Sequence, residues 1–334
     1  MWCPRLDHFV RFNPNGTVSR CGHMVAPAQF DSLDELESSQ WLKQIKHSFD
    51  QDIWPSECVR CREMEHIGNT SIRQSAIEVY ETRSQDNYLQ VAGVLDNVCN
   101  SACQFCNPSL STKIGSLTTK DYVIVNNSTK FFGLPLDRIE HLDINGGEPS
   151  ASKNYKQLLE NLPKNLKTLR MNTNCAVLLP QLKLIQQRGV EVTVTVSFDG
   201  IGSVHDYVRW PIKWEKFVEN LNAYRQFGLH KINLWTTINA LNINDIENIL
   251  NFVKLHQLEH SFAFLKYPTE LNVEFENKLT EKAKLKYSNS TDPVLQKISN
   301  MLAIKENNQN RLEQFVTKQD KLRSISITDF IDFV

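Results

Sequence analysis

The chain has 334 residues, and its 37 Lys and Arg against 38 Asp and Glu give a formal charge of −1, which excludes a broad basic surface for nucleic acid. Hydrophobic residues are 41% and charged residues 22%, the balance of a folded globular protein rather than a disordered one. No apolar run reaches the roughly 20 residues of a membrane-spanning helix, and Met1-Trp2-Cys3-Pro4-Arg5 opens without the basic and apolar stretches of a secretion signal, so the expected location is cytoplasmic, with no membrane partner.

Residues 1–85 read as an irregular segment. Phe9 to Val18 predicts two short strands about Pro14-Asn15-Gly16, and Ser32-Leu33-Asp34-Glu35 predicts a capping box opening a helix to Phe49. From residue 88 the pattern changes. Strands are expected at Leu89–Leu95, Ile139–Ile144, Lys167–Asn172, Val190–Phe198, Ile232–Ile238 and Phe262–Leu265, with helices near 119–132, 152–162, 179–188, 213–227 and 243–256. Six strands alternating with helices define parallel β/α units, whose functional groups gather at the carboxyl ends of the strands. After Tyr267-Pro268 the alternation stops. Nine Lys and Arg against five Asp and Glu over 281–323 predict helices with a solvated face.

The cysteines lie at 3, 21, 58, 61, 99, 103, 106 and 175. In a reducing compartment such clusters point to metal or catalysis rather than disulfides. Cys99-Asn-Ser-Ala-Cys103-Gln-Phe-Cys106 places three thiols on one loop at a strand end. Three thiolates leave a four-iron cluster one open iron, whereas closed zinc would need a fourth ligand. Gly146-Gly147-Glu148-Pro149 stands at the next strand end.

CX3CX2C with an aromatic residue before its last cysteine, followed by GGEP, resembles the radical S-adenosylmethionine (SAM) superfamily. The resemblance implies a partial (β/α)6 TIM barrel over 86–267, a 4Fe–4S cluster on Cys99, Cys103 and Cys106, and SAM bound to the open iron. It further implies reductive cleavage to methionine and a 5′-deoxyadenosyl radical that abstracts hydrogen from a substrate. By the same resemblance Phe105, Gly146, Gly147, Glu148, Pro149, Asn174, Ser197 and Arg209 bind the cofactor. Glu148 faces the methionyl ammonium, Arg209 the carboxylate, and the two glycines allow close approach of the strand edge. A reducing partner such as flavodoxin or ferredoxin is implied.

Cys3, Cys21, Cys58 and Cys61, spaced CX12GX4C and CX2C, resemble the opening of the SPASM motif and its shortened form, the twitch domain. The resemblance implies an auxiliary 4Fe–4S cluster in 1–85 that moves electrons; structural zinc is the alternative, with His8, His23 and His66 as nearby substitutes. It extends to Gln319-Asp320-Lys321-Leu322-Arg323 within the helical extension 268–334. Cys175 is a candidate hydrogen-atom donor or a small buried residue. Asp199 and Asp143 are candidate bases or strand-end hydrogen-bonding groups. The expected substrate is a peptide or protein, although no segment reads as a separate leader-peptide-binding domain; a small molecule or nucleotide is the alternative. A non-enzymatic zinc or electron-transfer module is the rival class.

Overall fold

The computed structural model describes residues 1–81, 88–118 and 122–333. Its centre is one eight-stranded sheet. The strands in chain order are β1 Phe9–Phe12, β2 Val18–Ser19, β3 Leu89–Val94, β4 Ile139–Asn145, β5 Thr168–Thr173, β6 Glu191–Ser197, β7 Lys231–Ile238 and β8 Glu259–Phe264. The spatial order is β2-β1-β3-β4-β5-β6-β7-β8, and every pairing from β1 to β8 is parallel. The six strands β3–β8 are the expected β/α units of a partial barrel.

The strands form because one face of each is apolar and β-branched at period two. Val192, Val194 and Val196 of β6 and Leu169 and Met171 of β5 are buried under helices Gln181–Gln187 and Trp214–Arg225. Burying each such side chain contributes about 1.5–3 kcal/mol. The alternate positions of β6, Glu191, Thr193, Thr195 and Ser197, are polar and only partly covered or exposed. The sheet therefore keeps a polar inner face where a closed barrel would be filled by branched side chains.

The N-terminal segment differs from expectation in its placement. Phe9–Phe12 and Val18–Ser19 pair antiparallel as the turn signal requires, with Gly16 at φ +84°. But β1 also pairs in parallel with β3, from Phe9 opposite Gln90 to Phe12 opposite Gly93. Gly93 permits this: at φ +107°, a Cβ there would stand 2.1 Å from the Phe12 carbonyl oxygen. The boundary expected between 85 and 86 lies outside the described residues, as does the start of the helix expected near 119–132, which is found at Ser128–Phe132. The helix expected from Ser32 to Phe49 is two, Leu33–Ser38 and Gln40–Asp50. Ser39 turns extended between them and accepts a hydrogen bond from Leu42 N at 3.1 Å, a second N-cap that restarts the helix. Only half of the capping box forms, because the Glu35 carboxylate accepts from Asp31 N rather than Ser32 N.

The C-terminal region holds helices Lys278–Ser288, Pro293–Ser299 and Gln309–Arg323. The last is not merely a solvated helix: Asp320 accepts a hydrogen bond from the Tyr207 hydroxyl at 2.7 Å, and Arg323 is buried. Among the described residues no helix is long and apolar enough to cross a membrane.

Candidate functional site

The loop after β3 carries Cys99, Cys103 and Cys106, and backbone and side chains from four other segments fix its path. Ala102 N donates to Trp210 O at 2.8 Å and Gln104 N to Val208 O at 3.0 Å. Cys99 N donates to Thr112 Oγ1 at 3.1 Å, and Ser111 Oγ to Ser101 O at 2.7 Å. Asn174 Nδ2 donates to Asn100 Oδ1 at 2.7 Å and to Ser101 Oγ at 3.1 Å. Arg323 Nε donates to Ala102 O at 2.9 Å, reaching across from the C-terminal helix. The Cys99 and Cys103 sulfurs stand on either side of the Ser101 hydroxyl, at 3.4 and 3.7 Å.

These thiols open on a cavity of about 390 Å³ at the carboxyl ends of β3–β6. Phe105, Gly146, Gly147, Glu148, Asn174, Ser197 and Arg209 line it, seven of the eight residues expected to bind a cofactor. Pro149 is the eighth; it is buried and opens the short turn Pro149–Ala151 instead of facing the cavity. Arg11, Asn145 and Asn172 line the same space and carried no motif signal.

The glycines of the GGEP segment have a packing cause within the fold. Gly146 and Gly147 sit at φ +89° and +57°, and their Cβ atoms would stand 2.6 Å from Val94 Cγ1 and 2.4 Å from Val98 O. They are required by the contact between neighbouring strand ends. Glu148 is 1% exposed. Its Oε1 accepts from Thr173 Oγ1 and Ser150 Oγ, each at 2.8 Å, and its Oε2 from Asn174 N at 2.6 Å. The carboxylate ties the ends of β4 and β5 together, and Oε2 keeps capacity for one further donor. Burial pushes its pKa up against those hydrogen bonds.

Arg209 is the buried cation of the cavity. Its Nη1 donates to Cys103 Sγ at 3.4 Å, and its guanidinium stands 5.5 Å from the Phe105 ring centre. Nε forms an ion pair with Asp199 Oδ2 that lacks the alignment of a hydrogen bond, and neither atom has another partner among the described residues. Burial opposes the Arg209 charge, but Asp199 and Cys103 outweigh it and hold the pKa above the usual arginine value. Asp199 is fully buried, and its Oδ1 accepts from Thr237 N at 2.6 Å; burial pushes its pKa up and Arg209 pulls it back. Cys175, at φ +61°, is fully buried, its thiol 3.8 Å from Phe217 O and its carbonyl bonded to Asn220 Nδ2. Neither Asp199 nor Cys175 is among the residues lining the cavity.

Behind Arg209, His205 packs against Phe217 and Trp214 at 4.6 and 5.6 Å between ring centres, and neither ring nitrogen has a hydrogen-bond partner among the described residues. Burial first, then Arg209, pushes its pKa down to about 3 from the ordinary 6.5. The unfolded chain therefore takes up this proton first. The contribution is complete above pH 6.5 and lost as pH falls toward 3, at up to about 1.4 kcal/mol per pH unit. H205F should flatten the acid side of a urea-midpoint series; an unchanged slope between those pH values would count against this assignment.

The second thiol group also assembles. Cys3, Cys21, Cys58 and Cys61 line one pocket with Leu6, Met24, Phe49 and Trp54. Burial, followed for Cys58 by its three sister thiols, pushes Cys3 and Cys58 up to about 12. In the cavity, burial and then Cys103 do the same to Cys106. Crowded thiols that resist ionisation are the donor set a metal centre neutralises. Among the described residues no three Cys, His, Asp or Glu side chains reach the spacing of a single bound ion. His23 lines the four-cysteine pocket, His8 stacks on Tyr88 at 4.5 Å, and His66 is exposed.

A parallel β/α sheet with three thiols, an acidic strand end and a buried arginine on a single cavity defines a class of cofactor-dependent α/β proteins whose site lies at the strand ends. Residues 95–253 match the model of the Radical SAM superfamily. Two solved structures are similar in outline. One is native anSMEcpe with bound AdoMet, at 15% identity and a TM-score of 0.41, covering 70% of this chain and 63% of that one. The other is Streptococcus suis SuiB bound to precursor peptide SuiA, at 13% identity and a TM-score of 0.41, covering 96% and 70%. The chain thus spans less than two thirds of the anSMEcpe chain. No curated protein matches it.

Proposed function

We propose that the chain is a radical SAM enzyme that abstracts a hydrogen atom from its substrate. The observation that carries this is the convergence of Cys99, Cys103, Cys106, Glu148 and Arg209 on one cavity within the matched domain. The residues fit the cofactors: three thiols without a fourth on the same cavity suit a 4Fe–4S cluster with an open iron. When bound, that cluster supplies the electron that splits SAM into methionine and the hydrogen-abstracting 5′-deoxyadenosyl radical. Arg209 offers a fork for the SAM carboxylate and Glu148 Oε2 an acceptor for its ammonium. Phe105 gives the adenine an apolar surface, and Asn174 and Ser197 give hydroxyls their partners. Asp199 is a positioning residue that orients Arg209. Cys175 is sealed beneath Phe217 and Asn220, and no role in the reaction is assigned to it.

Cys3, Cys21, Cys58 and Cys61 would close a second metal centre with no open position. An auxiliary 4Fe–4S cluster for electron transfer is the proposed occupant and zinc the competitor. The SPASM and twitch resemblance makes a peptide the first substrate to test, with a small molecule or nucleotide as the second, and flavodoxin or ferredoxin the reductant.

Anaerobic purification, followed by iron, sulfide and zinc analysis and a dithionite-driven SAM assay, tests the reading. About eight irons per chain and release of 5′-deoxyadenosine are expected. Zinc with no 5′-deoxyadenosine overturns it.

A further inference from the structure

The polar inner face of the sheet carries a second cavity of about 370 Å³, nearer the amino ends of the strands. Cross-strand register puts Ala92, Asp143, Arg170 and Thr193 in one row on that face. The sheet contributes His141, Asp143 and Arg170 to the cavity wall, and the N-terminal segment contributes Arg5 and His8. On β5, Arg170 opens on this cavity and Asn172 on the cysteine cavity; on β4, Asp143 and Asn145 divide in the same way. Residues two apart on a strand are about 6.5 Å apart. A molecule lying along β4 and β5 thus reaches from one cavity into the other. Arg5 also lines the four-cysteine pocket, which places this cavity between the two thiol groups.

Two facing charges of this cavity, Arg170 and Asp143, are unspent. Arg170 is exposed and makes no ion pair or hydrogen bond among the described residues. Asp143 stands beside it in register, within electrostatic reach of Arg170 and Arg5, yet pairs with neither. Glu191 also lines the cavity and is exposed. An unpaired guanidinium beside an unpaired carboxylate suits a ligand that brings a carboxylate to the one and a neutral or cationic donor to the other. The planar guanidinium fork gives paired, charge-assisted hydrogen bonds to a carboxylate and not to an amide.

Resting on the radical SAM reading above, we infer that this cavity is the substrate chamber and that Arg170 anchors a carboxylate of the substrate. Either a free amino acid or an acidic side chain of a peptide supplies that chemistry. The test is calorimetric binding to the cluster-loaded protein with SAM and without reductant, so that no turnover occurs. One arm compares L-glutamine with L-glutaminamide; the other compares acetyl-Gly-Glu-Gly-amide with acetyl-Gly-Gln-Gly-amide. The carboxylate member should bind at least tenfold more tightly in one arm, and that arm identifies the source. R170Q should bring the ratio close to one, and R170K should fall between, because it keeps the charge without the fork. Equal or absent binding of both members in both arms, or a ratio unchanged in R170Q, overturns the proposal. SAM cleavage by the same unaltered preparation, once reduced, reports separately on the radical SAM reading.

Discussion

Replacing Cys99, Cys103 and Cys106 together with alanine should abolish 5′-deoxyadenosine formation and lower iron from the proposed total of about eight to about four atoms per chain. The loop itself should survive the change. Its path is held by Trp210 O, Val208 O, Thr112, Asn174 and Arg323, none of which needs a cysteine sulfur. The remaining iron should keep the absorption of a cluster held by the four N-terminal thiols. The two centres are thus tested independently in one protein, and mixed-variant controls at Cys58 and Cys61 should show the complementary loss. Full SAM cleavage by the triple variant would mean that the open site lies elsewhere. Complete loss of iron would mean that the N-terminal pocket holds none.

Asp199→Ala is expected to destabilise the fold by about 3–5 kcal/mol, because it strands the Arg209 guanidinium in a buried site without its counter-charge. Arg209 is 8% exposed, so water does not replace the lost partner. The change also removes the acceptor of Thr237 N, which joins the ends of β6 and β7. Asn at 199 should cost less, since it retains an acceptor for Thr237 while losing the charge. The discriminating measurement is a double-mutant cycle in urea with Arg209→Met. Removing both charges should recover part of the loss, leaving a coupling of a few kcal/mol. Additive effects would show that the pair does not act as a unit. SAM affinity gives a second readout: D199A should weaken it by disorienting Arg209, and a stability loss at unchanged affinity would assign Asp199 a purely structural role.

Much of this architecture was legible in the chain because the signals are local. Alternating β-branched residues such as Val192-Thr-Val-Thr-Val196 specify a strand wherever they occur, and the six strands are found within a few residues of their expected bounds. The CX3CX2C and GGEP spacings place chemistry at strand ends without knowledge of packing. The split of Ser32–Phe49 was less legible, since Ser39 competes as a cap and the preference between one helix and two is small. The polar helices gave a charge pattern and a resemblance over Gln319–Arg323 but no contact, and Arg323 was one of nine basic residues over 281–323.

By itself, then, the sequence determined the β/α framework, the three-thiol loop and the placing of GGEP at a strand end, because backbone propensity and ligand spacing are short-range properties. Only the tertiary structure decided the rest. It set β1 against β3, assigned Gly146 and Gly147 to the packing of Val94 and Val98, buried Cys175, and turned Asp199 onto Arg209. It also brought Arg323 onto the cysteine loop and left Arg170 facing an open chamber. These are contacts between residues far apart in the chain. They depend on which faces the packed elements turn toward one another, and residue spacing along the chain does not specify that.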